Sequence, residues 1–224
     1  MKFYVKNKEY NIDYEDMIKR YIKSGWASDV YKFYKEVYKI NKEICLKYRL
    51  DEDSVNYLSK IPTKRILLPK ESIYDENYEF NGYTMKYIKS NKKDDIKNIT
   101  ISKLLKELKT IKNDLLLLKD NNVFIDDLCE DNFIYNNGIY LIDPGSFEIN
   151  KERSKEYIEI INREIMHDFI IKYVLFRSYK LNIKQIRKLY ELFPLNEYLS
   201  DILNKESNKK QLINEYTDRI INNL

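Results

Sequence analysis

The feature that most limits what this chain can fold into is a change of period near residue 100. Before it, residues 17–50 alternate apolar and polar side chains in runs rich in Tyr, Val and Ile, which is the two-residue period of strands. After it, Ile101, Leu104, Leu105, Leu108, Ile111, Leu115 and Leu118 recur at helical spacing and predict one buried stripe. The expectation is an α+β chain of two lobes, an antiparallel sheet over residues 1–88 and a mostly helical unit over 89–224. A chain of 224 residues is long enough for two small lobes that share an interface.

Finer signals place the elements. Turns are expected at Ser24-Gly25 and Asn41-Lys42, a short helix over 53–61 closed by Pro62, and strands over 65–74 and 78–88. The long helix should end near Asn121-Asn122. Phe133–Tyr135 and Ile139–Ile142 read as a hairpin around Asn136-Asn137-Gly138, because Asn-Gly favours the positive φ of a tight turn. Helical period returns in 153–178, 183–193 and 208–223, with Pro194 ending one segment. The polar stretch Ser90 to Lys97 is the candidate linker between the lobes.

Composition excludes more than it assigns. With 40 basic and 36 acidic residues the net charge is only +4, which gives nucleic-acid binding no support. Cys45 and Cys129 are far apart and lack a CxxC spacing, so neither a zinc site nor a disulfide framework is expected and a reducing cytoplasm fits. The start, MKFYVKNKEY, has no apolar core of a signal peptide, and the apolar run Leu115–Leu118 is far too short to span a bilayer.

The densest chemistry lies in Ile125-Asp126-Asp127-Leu128-Cys129-Glu130-Asp131-Asn132 and, beyond the hairpin, Leu141-Ile142-Asp143-Pro144-Gly145. Together these resemble the protein-kinase-like superfamily: the D-L-x-x-x-N catalytic loop falls on Asp127, Leu128 and Asn132, and the metal-binding D-F-G turn on Asp143-Pro144-Gly145. The resemblance implies a phosphoryl-transfer centre using ATP and Mg²⁺. Asp127 would orient the acceptor hydroxyl and take its proton, while Asn132 and Asp143 would hold Mg²⁺ through hard oxygen ligands. Asp126 fits less well, since Leu128 and Asn132 keep the motif register only from Asp127. Taken singly, either cluster also reads as ordinary turn chemistry on a solvated surface.

The likeness extends over about residues 18–148. Ser24-Gly25-Trp26-Ala27-Ser28-Asp29-Val30-Tyr31-Lys32 resembles a glycine-rich loop from which only Gly25 survives; an ordinary hairpin turn is the alternative. Ile44-Cys45-Leu46-Lys47 resembles the V-A-I-K strand, so Lys47 would reach the ATP phosphates. Lys39, in Val37-Tyr38-Lys39-Ile40, is a competing assignment, with Lys47 favoured because the Asn41-Lys42 turn leaves it on the strand after the loop-bearing pair. Tyr83–Ile88 resembles the strand that runs into the hinge, with Met85 as gatekeeper and Lys86 to Ile88 facing adenine, or else a plain buried strand. The resemblance thus assigns nucleotide contacts to Gly25, Ser28, Val30, Cys45, Lys47, Met85, Lys86, Ile88 and Ile142.

Ile125 stands where the family has His, and Pro144 where it has Phe. Of the glutamates that could pair with Lys47, Glu52 lies close in sequence and the short helix offers Ser54 and Asn56 instead. No A-P-E motif follows Asp143, so the segment that seats a peptide in protein kinases would be short. His167, in a helical stretch, reads as structural, and Asp168 could tie that helix to the catalytic loop. The activity implied is an ATP-dependent kinase acting on protein Ser/Thr hydroxyls. The alternatives are a kinase for an aminoglycoside-, choline- or sugar-like small molecule, and a pseudokinase that binds without turnover.

Overall fold

A computed structural model describes residues 1–25, 27–42, 50–89, 101–125, 132–143 and 147–169. The chain is α+β. Its largest element is a curled antiparallel sheet of seven strands: β1 (Lys2–Val5), β2 (Lys8–Asn11), β3 (Tyr21–Ser24), β4 (Ser28–Phe33), β5 (Glu36–Asn41), β6 (Glu71–Tyr74) and β7 (Phe80–Lys86). Their spatial order is β2-β1-β6-β7-β5-β4-β3. Thus β3, β4 and β5 form a meander, β7 lies beside β5, and the first hairpin is added along β6.

Between β2 and β3 stands helix α1 (Tyr14–Arg20), where alternation predicted strand from residue 17. The helix prevails because its ends are built for it. Asp13 caps the start by accepting the Asp16 N–H at 2.7 Å, and Glu15 and Asp16 lead while Lys19 and Arg20 close, the charge order that opposes the helix dipole. Met17 packs against Phe3, Phe33, Tyr38 and Ile40, a cluster on one sheet face. The Phe33 and Tyr38 rings there lie 4.5 Å apart.

The opposite sheet face meets the rest of the chain. Helix α2 (Glu52–Leu58), capped by Asp51, agrees with the short helix expected at 53–61, though it stops earlier. Helix α3 (Ile101–Asp120) follows the apolar stripe. Then come β8 (Val123–Ile125), the hairpin β9 (Phe133–Tyr135) and β10 (Ile139–Leu141), β11 (Phe147–Ile149), and helix α4 (Lys155–Phe169). Leu58, Ile66, Tyr83, Met85, Ile111, Leu118, Ile125, Leu141 and Met166 belong to one buried cluster. That core crosses residue 88, so the sheet half and the helix-bearing half are packed on each other.

Of the strands expected from sequence, 65–74 is ordered as strand only from Glu71. Residues 64–67 instead join β10: Leu141 N–H donates to Arg65 O at 2.9 Å and Leu67 N–H to Leu141 O at 2.8 Å. The segments 183–193 and 208–223 lie outside the described residues. No described helix is long and apolar enough to cross a membrane.

Candidate functional site

Strand alternation decides which side chains of the meander face the second half. Tyr38 and Ile40 enter the aromatic cluster on one side, so Val37 and Lys39 point to the other. Register then builds a row: Val30 is opposite Lys39 and Lys39 opposite Tyr83, while Val37 is opposite Met85. Val30, Tyr83 and Met85 are buried. The sheet therefore presents one lysine in an apolar surround.

Gly82 makes this approach possible. It adopts φ +141°, and a Cβ there would sit 2.0 Å from Lys39 O, a distance no side chain tolerates. Only glycine allows β7 to lie this close to the lysine strand.

From the other half comes Asp143. Its Oδ1 lies 2.6 Å from Lys39 Nζ, an ion pair across 104 residues of chain. The lysine side chain is 12% exposed and the aspartate 35%, so the carboxylate remains within reach of solvent while the ammonium is enclosed. Burial works against the Lys39 charge, but the neighbouring Tyr83 and Asp143 outweigh it and raise the lysine's pKa above its ordinary value. Burial likewise pushes the Tyr83 phenol up, with the Lys39 ammonium opposing.

Asp143 lies two residues past the end of β10, and its position is fixed by neighbours of that strand. Ile142 N–H donates to Asn132 O at 2.9 Å, which puts Asn132, itself buried, beside the residue preceding Asp143. On the other side β10 is held by residues 65–67 as described above. Those residues are gripped in turn by Asp114 of α3, which is 1% exposed and accepts the backbone N–H groups of Lys64 at 2.9 Å, Arg65 at 2.6 Å and Ile66 at 3.0 Å. A carboxylate satisfied by three backbone donors is a strong, charge-assisted clamp.

A second buried group supports the hairpin. Arg65 Nε lies 2.8 Å from Glu107 Oε2, and Arg65 Nη1 donates to Tyr140 Oη at 2.6 Å. The hairpin glycine serves this packing. The positive φ of the turn is taken by Asn137, at 52°, while a Cβ on Gly138 would fall 2.6 Å from Arg65 Nη2 and 2.7 Å from Glu107 Oε2.

The strand before the other motif is clamped as well. Asn162 of α4, 1% exposed, accepts the Ile125 N–H at 2.8 Å and donates to Val123 O at 3.1 Å. Since β8 pairs with β11 so that Ile125 faces Phe147, and Asn132 bonds Ile142, the points flanking 126–131 and those flanking 144–146 are neighbours.

The structure thus brings together Asn132, Asp143, Val30, Met85 and Ile142 from the expected set, and Ser28 lies on the Val30 face by alternation. Gly25 closes a tight turn, donating its N–H to Ser28 O at 2.9 Å and accepting from Lys42 Nζ at 2.8 Å. Lys86 is exposed and Ile88 packs against the core. Tyr87 N–H between them is taken by Lys35 O at 3.0 Å. Asp127, Cys45 and Lys47 lie outside the described residues, as does the side chain of His167. The lysine that meets Asp143 is Lys39, the competing assignment.

Sequence reading passed over Tyr83, Asp114 and Asn162 as site residues. The last two had a signal: Asp114 falls between Ile111 and Leu118 on the apolar stripe of α3, and Asn162 between Ile158 and Met166 on that of α4. A polar group on a buried helix face has to be answered by partners.

Chemically, the assembly offers one enclosed cation and one partly exposed carboxylate, with buried Asn132 tied by its backbone to the residue before the aspartate. Asn132 and Asp143 carry hard oxygen donors of the kind Mg²⁺ takes, and among the described residues no three of His, Cys, Asp and Glu converge. No protein-family model matches the chain, and no curated protein does.

Proposed function

We propose that this chain is an ATP-dependent phosphotransferase of kinase-like fold that uses a hydroxyl group as acceptor. The observation that carries the reading is the Lys39–Asp143 contact: a lysine on the third strand of a meander, after a glycine-bearing turn, set against the aspartate that follows a hairpin. Kinase-like folds use such a lysine on the nucleotide phosphates and such an aspartate on Mg²⁺. Residues beyond α4 completing a helical lobe, and action in a reducing cytoplasm, are parts of the same reading.

Each residue has one task. Lys39, permanently charged in its enclosed site, neutralises phosphate oxygens. Asp143 and Asn132 supply oxygen ligands for Mg²⁺, which when bound offsets the charge that develops on the transferring group. Asp127, the aspartate that opens the D-L-x-x-x-N motif, takes the proton of the acceptor hydroxyl. Val30, Met85 and Ile142 give the apolar walls that an adenine ring needs.

The acceptor is a small-molecule alcohol. Only residues 150–154 join β11 to α4, and a protein acceptor needs a longer platform after the metal-binding turn to seat an extended peptide. The likeness of Gly25–Lys32 to protein kinases is the feature that speaks for protein Ser/Thr hydroxyls.

The test is γ-phosphate transfer by the purified chain with Mg²⁺ against itself, generic proteins and a panel of alcohols and amino alcohols. Transfer to an alcohol, lost in Asp127→Asn with ATP binding kept and lost in Asp143→Asn with Mg²⁺–ATP binding weakened, is the expected pattern. Wild-type turnover in both variants would overturn the mechanism. Labelled protein without labelled alcohol would move the acceptor to Ser/Thr side chains, and Mg²⁺-dependent binding with no ATP consumption would make the chain a binding module.

A further inference from the structure

In the phosphotransferase reading, the turn between the first two strands of the meander covers the nucleotide phosphates. Here that turn joins β3 to β4, and Gly25 is the glycine it keeps. It leads into the strand whose Val30 stands opposite Lys39. The glycine serves a close approach, since a Cβ on Gly25 would lie 3.3 Å from Ser28 O. With one glycine the turn cannot draw its shape from glycine's conformational freedom alone, so other groups have to hold it.

Lys42, the residue just past β5, supplies that hold. Its backbone N–H donates to Ala27 O at 3.0 Å. Its ammonium donates to Gly25 O at 2.8 Å and to the Ser24 hydroxyl, and lies 3.4 Å from Asp29 Oδ1. The Ser24 hydroxyl in turn donates to Asp29 Oδ1 at 2.7 Å, and Gly25 N–H donates to Ser28 O at 2.9 Å. One residue thereby ties both sides of the β3–β4 turn to the third strand of the meander. An ammonium has three donors, and an acceptor stands for each of them: a carbonyl, a hydroxyl and a carboxylate. This set favours a brace within the protein over a second phosphate cation beside Lys39. The same ammonium offsets the charge of Asp29, which by itself would repel a phosphate close to the turn.

Resting on the phosphotransferase reading, we infer that Lys42 is the positioning residue of the phosphate-covering turn: it fixes Gly25 and Ala27 against the end of β5, with Ser24 and Asp29 as its anchors. Two lysines three residues apart then divide the work, Lys39 meeting the phosphates and Lys42 shaping the turn over them. A turn held before the ligand arrives loses less freedom when it binds, so the brace contributes to affinity without touching the nucleotide.

Two variants test this. Lys42→Met removes the ammonium and keeps the backbone bond to Ala27, whereas Ser24→Ala removes only the hydroxyl and leaves both charges in place. Binding of Mg²⁺–ADP by calorimetry and of adenosine by NMR titration is measured for wild type, each variant and the double variant, with hydrogen exchange at Gly25 in the free protein. The expected result is a dissociation constant for Mg²⁺–ADP raised about tenfold in Lys42→Met and about threefold in Ser24→Ala, as for hydrogen bonds to a charged group near the surface. Adenosine, which has no phosphates, should bind all of them alike, and exchange at Gly25 should quicken in both variants. In the Lys42→Met background Ser24→Ala should add nothing, the non-additivity of groups acting as one. Ser24→Ala binding Mg²⁺–ADP as tightly as wild type, or more tightly, overturns the inference by showing that the ammonium does not act through the turn. Equal losses for Mg²⁺–ADP and adenosine also overturn it, by showing a general disturbance of the sheet. Both of these leave the phosphotransferase reading standing, whereas absence of Mg²⁺–ADP binding by the wild type overturns that reading and the inference together.

Discussion

Lys39 and Lys47 were rival assignments for one role, and what separates them is the location of a turn. Asn41-Lys42, where β5 ends, has the composition of a turn, whereas the earlier reversal at Tyr34-Lys35, where Tyr34 takes φ 53° at 87% exposure, does not. A bulky residue in the left-handed region is rare and leaves no mark in composition. Shifting the reversal moves the third strand of the meander onto Glu36–Asn41 and Lys39 onto the face that meets Asp143. The prediction at this scale is that Lys39→Met abolishes Mg²⁺–ADP binding, whereas Lys47→Met stays within about threefold of wild type; calorimetric titration of the two variants checks it. Gly82→Ala should cost about 3 kcal/mol or more in denaturant unfolding, because its Cβ meets the Lys39 carbonyl and its φ is strained for any side chain.

Elements were legible where one face is apolar and the ends carry their own punctuation. The stripe of α3, the caps of α2 and the β9–β10 hairpin all have such signals, and the structure contains each of them. Short strands paired only with distant residues had none: β8 and β11 are three residues long and find each other across the hairpin. The same holds for residues 64–67, which become a neighbour of β10 because of Asp114 on α3. That clamp supports a prediction about an element. Asp114→Ala strands three backbone donors that the protein interior now shields, and should cost about 3 kcal/mol or more. The loss should reach beyond stability, since residues 64–67 border the strand leading to Asp143. Hydrogen exchange should therefore rise at Arg65, Leu67 and Leu141 together, and a rise confined to Lys64–Ile66 would show that the clamp does not extend to β10.

At the scale of the molecule, the switch of period near residue 100 marks a sheet-rich half and one that opens on a long helix, and it suggested two lobes that share an interface without saying how far their cores merge. Periodicity reports which side chains are buried and not what they are buried against. Tyr83 and Met85 from the sheet share a cluster with Ile111, Leu118, Leu141 and Met166, and Lys39 meets Asp143 across the same boundary. Halves that share a core unfold together, so calorimetry should give one transition with equal calorimetric and van't Hoff enthalpies. A ligand held between Lys39 and Asp143 then stabilises the whole transition: Mg²⁺–ADP at a hundred times its dissociation constant adds about 2.7 kcal/mol by mass action. The shift should vanish in Lys39→Met and shrink in Asp143→Asn. Two separate transitions, with only the first moved by nucleotide, would mean that the sheet binds alone and that Asp143 contributes nothing to holding the phosphates.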